Sequence, residues 1–269
     1  MPRIAFRGRP RKRFGQHFLH DPAVIERIAA AIAPAAGEAL VEIGPGRGAL
    51  TRRLLDSDCG SLDAIEIDRD LANQLRAELG GDARFALHEA DALRVDFGAL
   101  ARQRGQPLRV IGNLPYNIST PLLFHLLETG GDIRDLHVML QREVIERMAA
   151  RPGDTAYGRL TVMLSPWVEV ARLFDVGPGA FQPPPRVWSS VARLTVRPRP
   201  AFPANPAFPA VVAAAFAHRR KTLRNALRGL ATAQQIESCG VDPGARPETV
   251  SPERFNAIAA LAKLPPAAA

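Results

Sequence analysis

The sequence predicts an α/β fold, a mostly parallel sheet whose last strand runs antiparallel, followed by a small all-helical domain. Three observations predict it. Short apolar, β-prone runs alternate with helical patterns through most of the chain, which is the mark of successive βαβ units. The last two strand-like runs are joined by Gly177-Pro178-Gly179-Ala180-Phe181-Gln182-Pro183-Pro184-Pro185, too short for a helical crossover, so the final strand returns antiparallel. A proline-dense stretch from Arg197 to Pro206 then reads as a stiff linker, and the chain beyond it is helical.

Each element follows from local signals. Asp21-Pro22 opens a helix, the carboxylate as N-cap and proline at the first helical position, and Val24, Ile25, Ile28 and Ile32 give it one apolar face. Strands are expected at Leu40–Ile43, Asp63–Ile67, Arg84–His88, Arg109–Gly112 and Leu136–Gln141, then at Val168–Val176 and Val187–Val196. Beyond the linker, Phe208 to Leu230 reads as one long helix, and Ser251-Pro252 opens a final one. The expected domains are residues 1–200, with a basic N-terminal arm, and residues 201–269.

Composition sets the class. At 269 residues, 46% hydrophobic and 23% charged, the chain suits one large globular domain with a small one beside it. Its net charge of +8 is concentrated in two runs. Arg3, Arg7, Arg9, Arg11, Lys12 and Arg13 form one; Arg219, Arg220, Lys221, Arg224 and Arg228 form the other. Taking those eleven cations from +8 leaves −3 for the rest, so the basic character sits where a phosphate backbone could use it. Two distant cysteines, Cys59 and Cys239, give neither a disulfide framework nor a metal-binding spacing. With no secretory apolar segment and no run approaching a membrane span, a cytoplasmic protein without a membrane partner is expected.

The chemistry concentrates after the strands. Val41-Glu42-Ile43-Gly44-Pro45-Gly46-Arg47-Gly48 is a strand entering a glycine-rich turn, where the chain bends tightly and approaches a ligand without a Cβ in the way. Glu66 follows Gly46 by twenty residues, the offset at which a carboxylate reaches ribose hydroxyls. Asp91, after the third strand, offers an acceptor for an adenine amine. The third glycine comes one residue earlier than the dinucleotide spacing requires, which favours a compact methyl donor over NAD. Glu42 and Asp68 read equally as solvated or as capping carboxylates.

After the fourth strand stands Asn113-Leu114-Pro115-Tyr116. An exocyclic adenine amine is a poor nucleophile because its lone pair is delocalised into the ring. The Asn113 side-chain carbonyl and the Leu114 main-chain carbonyl, aimed at its two N–H bonds, would favour the localised form and stabilise the positive charge that grows on nitrogen. Tyr116 would give a flat face for a base drawn out of its stack. Taken alone, the tetrapeptide also fits a strand-ending turn with a half-buried tyrosine.

Taken together, the motifs resemble the ribosomal RNA adenine dimethyltransferases, particularly the bacterial small-subunit type. The resemblance runs from Arg11 to about Asn256 and rests on Arg13-Phe14-Gly15-Gln16-His17-Phe18-Leu19, Glu42-Ile43-Gly44-Pro45-Gly46, Glu66-Ile67-Asp68, Asp91-Ala92 and Asn113-Leu114-Pro115-Tyr116. It continues in Gln141-Arg142-Glu143-Val144, Tyr157-Gly158-Arg159-Leu160, Phe181-Gln182-Pro183-Pro184-Pro185-Arg186-Val187 and Arg219-Arg220-Lys221-Thr222-Leu223-Arg224-Asn225.

The resemblance implies a Rossmann-like class I methyltransferase sheet, S-adenosyl-L-methionine as methyl donor and no metal. His17, Leu19, Gly44, Gly46, Glu66, Ile67, Asp91, Ala92 and Asn113 would line the donor site. Asn113, Leu114 and Tyr116 would hold the target adenine, and Phe181 would stack on its other face. Arg11, Lys12, Arg13, Arg219, Arg220, Lys221 and Arg224 would meet RNA. The implied partner is 16S rRNA in an immature 30S subunit, met by a monomer.

Three other readings share part of the pattern: a resistance-type enzyme of large-subunit RNA, a non-catalytic RNA-binding or assembly factor, and a DNA adenine methyltransferase. The Arg219–Asn225 run speaks against the first, and the intact Asn113–Tyr116 and Glu66 against the second. The lack of a separate sequence-reading domain speaks against the third.

Overall fold

The computed structural model describes residues 16–115, 118–218 and 220–263. The chain folds as two compact units, residues up to 142 with 171–196, and residues 143–170 with those from 197 onward. The segment 143–170 thus groups with the C-terminal helices, an exchange of chain that a single cut near residue 200 does not describe.

The elements of the chain, in order, are β1 (Phe18–Leu19), α1 (Pro22–Ile32), β2 (Ala39–Ile43), α2 (Ala49–Leu55), β3 (Ser61–Glu66), α3 (Arg69–Leu79), β4 (Phe85–Glu89), α4 (Phe97–Arg104), β5 (Leu108–Asn113), α5 (Ser119–Leu127), β6 (Ile133–Gln141), α6 (Arg142–Ala149), α7 (Arg159–Leu164), β7 (Val168–Val176), β8 (Phe181–Gln182), β9 (Ser189–Val196), α8 (Phe208–Phe216), α9 (Leu223–Ala226), α10 (Ala233–Ser238) and α11 (Pro252–Leu261).

Seven strands form one sheet in the order β4-β3-β2-β5-β6-β9-β7. The pairs β2–β3, β2–β5, β3–β4 and β5–β6 are parallel. β9 runs antiparallel to β6, as the short link before it requires. β2 is buried along its whole length, which suits a central strand covered on both faces.

Helix starts follow their caps. The Asp21 carboxylate accepts from the Ala23 and Val24 amides at 2.9 and 3.2 Å, and Ile28, Ala29 and Ile32 of α1 are buried. Asp68 accepts from the Asp70 amide at the head of α3, so of its two readings the capping one holds. Below the sheet, Arg109 of β5 is bound by Asp135 of β6, by Glu38 and by the Ile32 carbonyl at the end of α1. A buried guanidinium satisfied on every side locks those three elements together.

The second unit has its own core, built from Phe208, Val211 and Val212 of α8, Leu223 and Leu227, Ile236, and Phe255 and Ile258 of α11. Tyr157 donates its hydroxyl to the Val250 carbonyl at 2.8 Å within it. The single helix expected from Phe208 to Leu230 is divided, ending at Phe216 and resuming at Leu223. The restart draws on contacts outside the helix: the Leu223 and Arg224 amides donate to the Ala245 and Pro243 carbonyls, which satisfies N–H groups a continuous helix would have used internally.

Candidate active site

Because β2, β3, β4 and β5 are parallel, the turns at their carboxyl ends gather on one edge of the sheet. A cleft opens there, lined by Gly44 and Gly46 after β2, Glu66 and Ile67 at the end of β3, Ala90, Asp91 and Ala92 after β4, and Asn113, Leu114 and Pro115 at the end of β5. Gly44 and Gly46 have φ of 67° and 57°, the left-handed region that side chains rarely occupy. A Cβ on Gly46 would stand 3.0 Å from the Phe18 ring, so both the turn and the close approach need glycine.

Across this cleft lies the segment Gln16–Leu19. β1 pairs antiparallel with β8, Leu19 opposite Phe181 and Phe18 opposite Gln182. The His20 amide donates to the Ala180 carbonyl, and His17 Nδ1 lies 2.8 Å from the Pro183 carbonyl, to which it donates. Gln16 Nε2 donates to Asp68 Oδ2 at 3.1 Å. Anchored in this way, the segment presents the His17 main-chain carbonyl to Asn113, whose Nδ2 donates to it at 3.1 Å. A carbonyl can only accept, so the amide nitrogen faces His17 and Oδ1 faces away from it, free to accept in turn.

On the β3 side, Glu66 is buried, with Oε1 accepting from the Asp68 amide at 2.8 Å and Oε2 from the Gly46 amide at 3.2 Å. Burial raises its pKa, and the two amides oppose that shift. One carboxylate thereby fixes the glycine turn and keeps lone pairs toward the cleft. Asp91 holds the short turn after β4, Oδ1 accepting from the Leu93 amide at 3.0 Å. Ile67 is apolar yet about half exposed, a flat wall beside these acceptors.

A second cavity lies beside the first, sharing His17, Phe18, Gly44, Gly46 and Asn113 and reaching Glu42, His137 and Met139. Glu42 is buried and its Oε2 has no hydrogen-bond partner among the described residues. Burial pushes its carboxyl up to about 7; the Thr51 hydroxyl relieves this only partly, and the Glu66 charge adds to it.

Carboxylate acceptors on Glu66 and Asp91, an apolar wall and glycines that let the main chain approach fit an adenosine-bearing donor. The chain matches the family model described as ribosomal RNA adenine dimethylase over residues 7–263. The chain belongs to the ribosomal RNA adenine dimethylase family. Its relatives include the ribosomal RNA small subunit methyltransferase A of Pseudomonas aeruginosa, 51% identical over 263 residues and 97% of each chain. That of Nitrosococcus oceani is 53% identical over 253 residues, 93% of this chain and 95% of the other. Among solved structures, the 23S rRNA methyltransferase ErmE superposes with a TM-score of 0.71 at 28% identity, covering 90% of this chain and 98% of that one. A dimethyladenosine transferase from Plasmodium falciparum gives 0.74 at 23% identity, covering 90% and 96%, and shares the fold.

As a ribosomal RNA adenine dimethylase, the chain brings most of its sequence-expected residues to one place. His17, Gly44, Gly46, Glu66, Ile67, Asp91, Ala92, Asn113 and Leu114 line the main cleft, and Leu19 lines the second cavity. Tyr116 lies outside the described residues, as do Arg11, Lys12, Arg13 and Arg219. Arg220, Lys221 and Arg224 are exposed in the second unit.

Phe181 departs from its expected place. Its ring is 3% exposed and packs in the core with Ile28, Ile32 and Met139, because β8 turns it inward while pairing with β1. In this dimethylase Phe181 supports the site through its strand, and no face of the ring is open for a base.

Sequence reasoning missed Gln16, Phe18, Glu42 and His137 as neighbours of the site. Gln16 and Phe18 stand inside the Arg13–Leu19 motif, whereas nothing local marks His137 as buried on β6.

Proposed function

We propose that the chain transfers methyl groups from S-adenosyl-L-methionine to the N6 amines of two adjacent adenines near the 3′ end of 16S rRNA, giving N6,N6-dimethyladenine. It acts in the cytoplasm, as a monomer, on RNA within an immature 30S subunit. The small-subunit assignment is supported by relatives of that name at about half identity over nearly the whole chain, against 28% for ErmE. The first unit does the chemistry, and the second, which carries Arg220, Lys221 and Arg224, contacts RNA.

The observation that carries this reading is the aimed Asn113 amide. With its nitrogen committed to the His17 carbonyl, Oδ1 accepts one adenine N–H, and the Leu114 main-chain carbonyl accepts the other. The two acceptors hold the amine with its lone pair localised and stabilise the charge that develops on nitrogen. S-adenosyl-L-methionine supplies a methyl activated on a sulfonium. Glu66 would hold the ribose and Asp91 the adenine of the donor, with Ile67 and Ala92 beside it.

The target amine forms the new N–C bond as the C–S bond breaks, sulfur leaves as a neutral thioether, and the proton passes to water. A second round on the same nitrogen completes the product. Positioning provides most of the rate, and no step calls for a metal.

Mass spectrometry of small-subunit RNA, incubated with the protein and labelled donor, tests the proposal. Dimethylation of two neighbouring adenines is the expected result. Labelling confined to large-subunit RNA, or no labelling, would overturn it.

A further inference from the structure

The link that carries Phe181 ends in Arg186-Val187-Trp188, and these residues have no part in the donor cleft or the Asn113 site. Phe181 turns inward, but Trp188 does the opposite: it is 52% exposed, next to Val187 at 43%. An indole so open is a large apolar face left in water. The residue is nevertheless fixed. Its carbonyl accepts from the Arg142 amide at 3.0 Å, and its six-membered ring lies beside Gly177, where a Cβ would stand 3.6 Å from the ring.

Sheet register says where this face lies. Asn113 stands opposite Met139 on β6, and Gln141, two residues further along β6, stands opposite Ser189 on β9. Trp188 immediately precedes Ser189, so it lies on the catalytic edge, two strands from Asn113, roughly 10 Å across at the usual strand spacing. Arg186, two residues before it, is exposed and makes no ion pair among the described residues.

We propose that Trp188 and Arg186 form a landing platform for the nucleotide next to the target adenine. That base stacks on the indole, and its phosphate meets the Arg186 guanidinium. The proposal rests on the functional reading that an RNA adenine is the substrate and adds where the adjoining residue is held. An aromatic face accepts any base, and a guanidinium beside it supplies the countercharge a single strand needs. While one of two adjacent adenines occupies the Asn113 site, the platform keeps the other unstacked and close by.

The test uses the full-length protein as wild type, Trp188→Ala and Trp188→Phe, with small-subunit RNA particles and labelled donor. Trp188→Ala is expected to raise KM for RNA about tenfold, the effect of removing a stacked aromatic, while kcat and donor affinity stay within twofold. Trp188→Phe recovers most of the loss. On RNA with an abasic residue beside the target, wild type and Trp188→Ala converge. An unchanged KM in folded Trp188→Ala, or a deficit that persists on abasic RNA, overturns the platform.

A second readout does not depend on turnover. In Trp167→Phe, Trp188 is the sole tryptophan, and a short single-stranded oligoribonucleotide with two adjacent adenines is expected to quench its emission. Unchanged emission at saturating oligonucleotide overturns the platform even if methyl transfer fails for other reasons. If no methyl is transferred while Trp167→Phe is still quenched, the functional reading falls and Trp188 is left as a base-stacking face for single-stranded RNA. If Trp188→Ala instead abolishes a concentration-dependent dimer and leaves KM unchanged, the face serves self-association and the proposal is wrong.

Discussion

Asn113 donates its side-chain amide to the main-chain carbonyl of His17, 96 positions earlier, at 3.1 Å. One end of the functional amide is thus fixed by a distant segment, and the other is left to act. Asn113→Ala removes the acceptor proposed to meet the charge developing on the amine, and kcat is expected to fall about 100-fold or more. Single-turnover assays with labelled donor measure it, and titration calorimetry should show donor affinity changed less than tenfold. Turnover near wild type in a folded variant would refute the assigned role.

Glu66 joins the glycine turn to the head of α3 through two main-chain amides while facing the cleft. Glu66→Ala leaves both amides short of an acceptor and removes the proposed ribose partner, so donor Kd is expected to rise tenfold or more. Calorimetry reads the affinity and thermal denaturation the lowered Tm. An affinity within twofold of wild type would place the ribose elsewhere.

Glu42 gives a pH dependence of known sign. Its folded-state pKa of about 7 lies above the usual 4.5 because of burial, so the folded protein holds a proton that the unfolded chain has released. Its contribution is therefore fully present below pH 4.5 and is lost as pH rises toward 7. Glu42→Gln mimics the protonated form. The variant should match wild type near pH 4 and exceed it at pH 8 by up to about 3 kcal/mol, the size of such a shift. Denaturant unfolding at the two pH values measures the difference, and equal stability at pH 8 would contradict it.

Arg220, Lys221 and Arg224 are exposed and unpaired among the described residues. Replacing all three by alanine should raise KM for RNA and lower the slope of log affinity against log salt by about 0.7–0.9 for each phosphate no longer neutralised. Donor affinity should not move. An unchanged salt slope would remove this run from the RNA interface.

Much of the sheet and most of the site were legible in the sequence because their signals are local. Asp21-Pro22 and Ser251-Pro252 set their helices through caps a few atoms away, and Gly44, Glu66, Asp91 and Asn113 each end or follow a strand whose neighbours fix the edge. The expectations that failed depended on distant partners. β1 and β8 are two residues each, too short to carry a period, and exist because they meet. The helical pattern read from Phe208 to Leu230 is interrupted between Phe216 and Leu223, and the helix that resumes there starts on amides taken by the distant Ala245 and Pro243 carbonyls. Phe181 was expected to face a base; the direction of β8, which only its pairing decides, turned the ring into the core.

The pairing of β1 with β8 also sets an order of assembly. His17 and Pro183, joined by a hydrogen bond, are 166 positions apart, so their contact closes one of the longest loops in the chain. On a growing polypeptide, β1 has no partner strand until Gln182 has been synthesised, although Asp68 and Asn113, which also bind the segment, are made earlier. The anchoring of the His17 carbonyl against Asn113 is therefore complete only once β8, from the far end of the sheet-forming part of the chain, has been made.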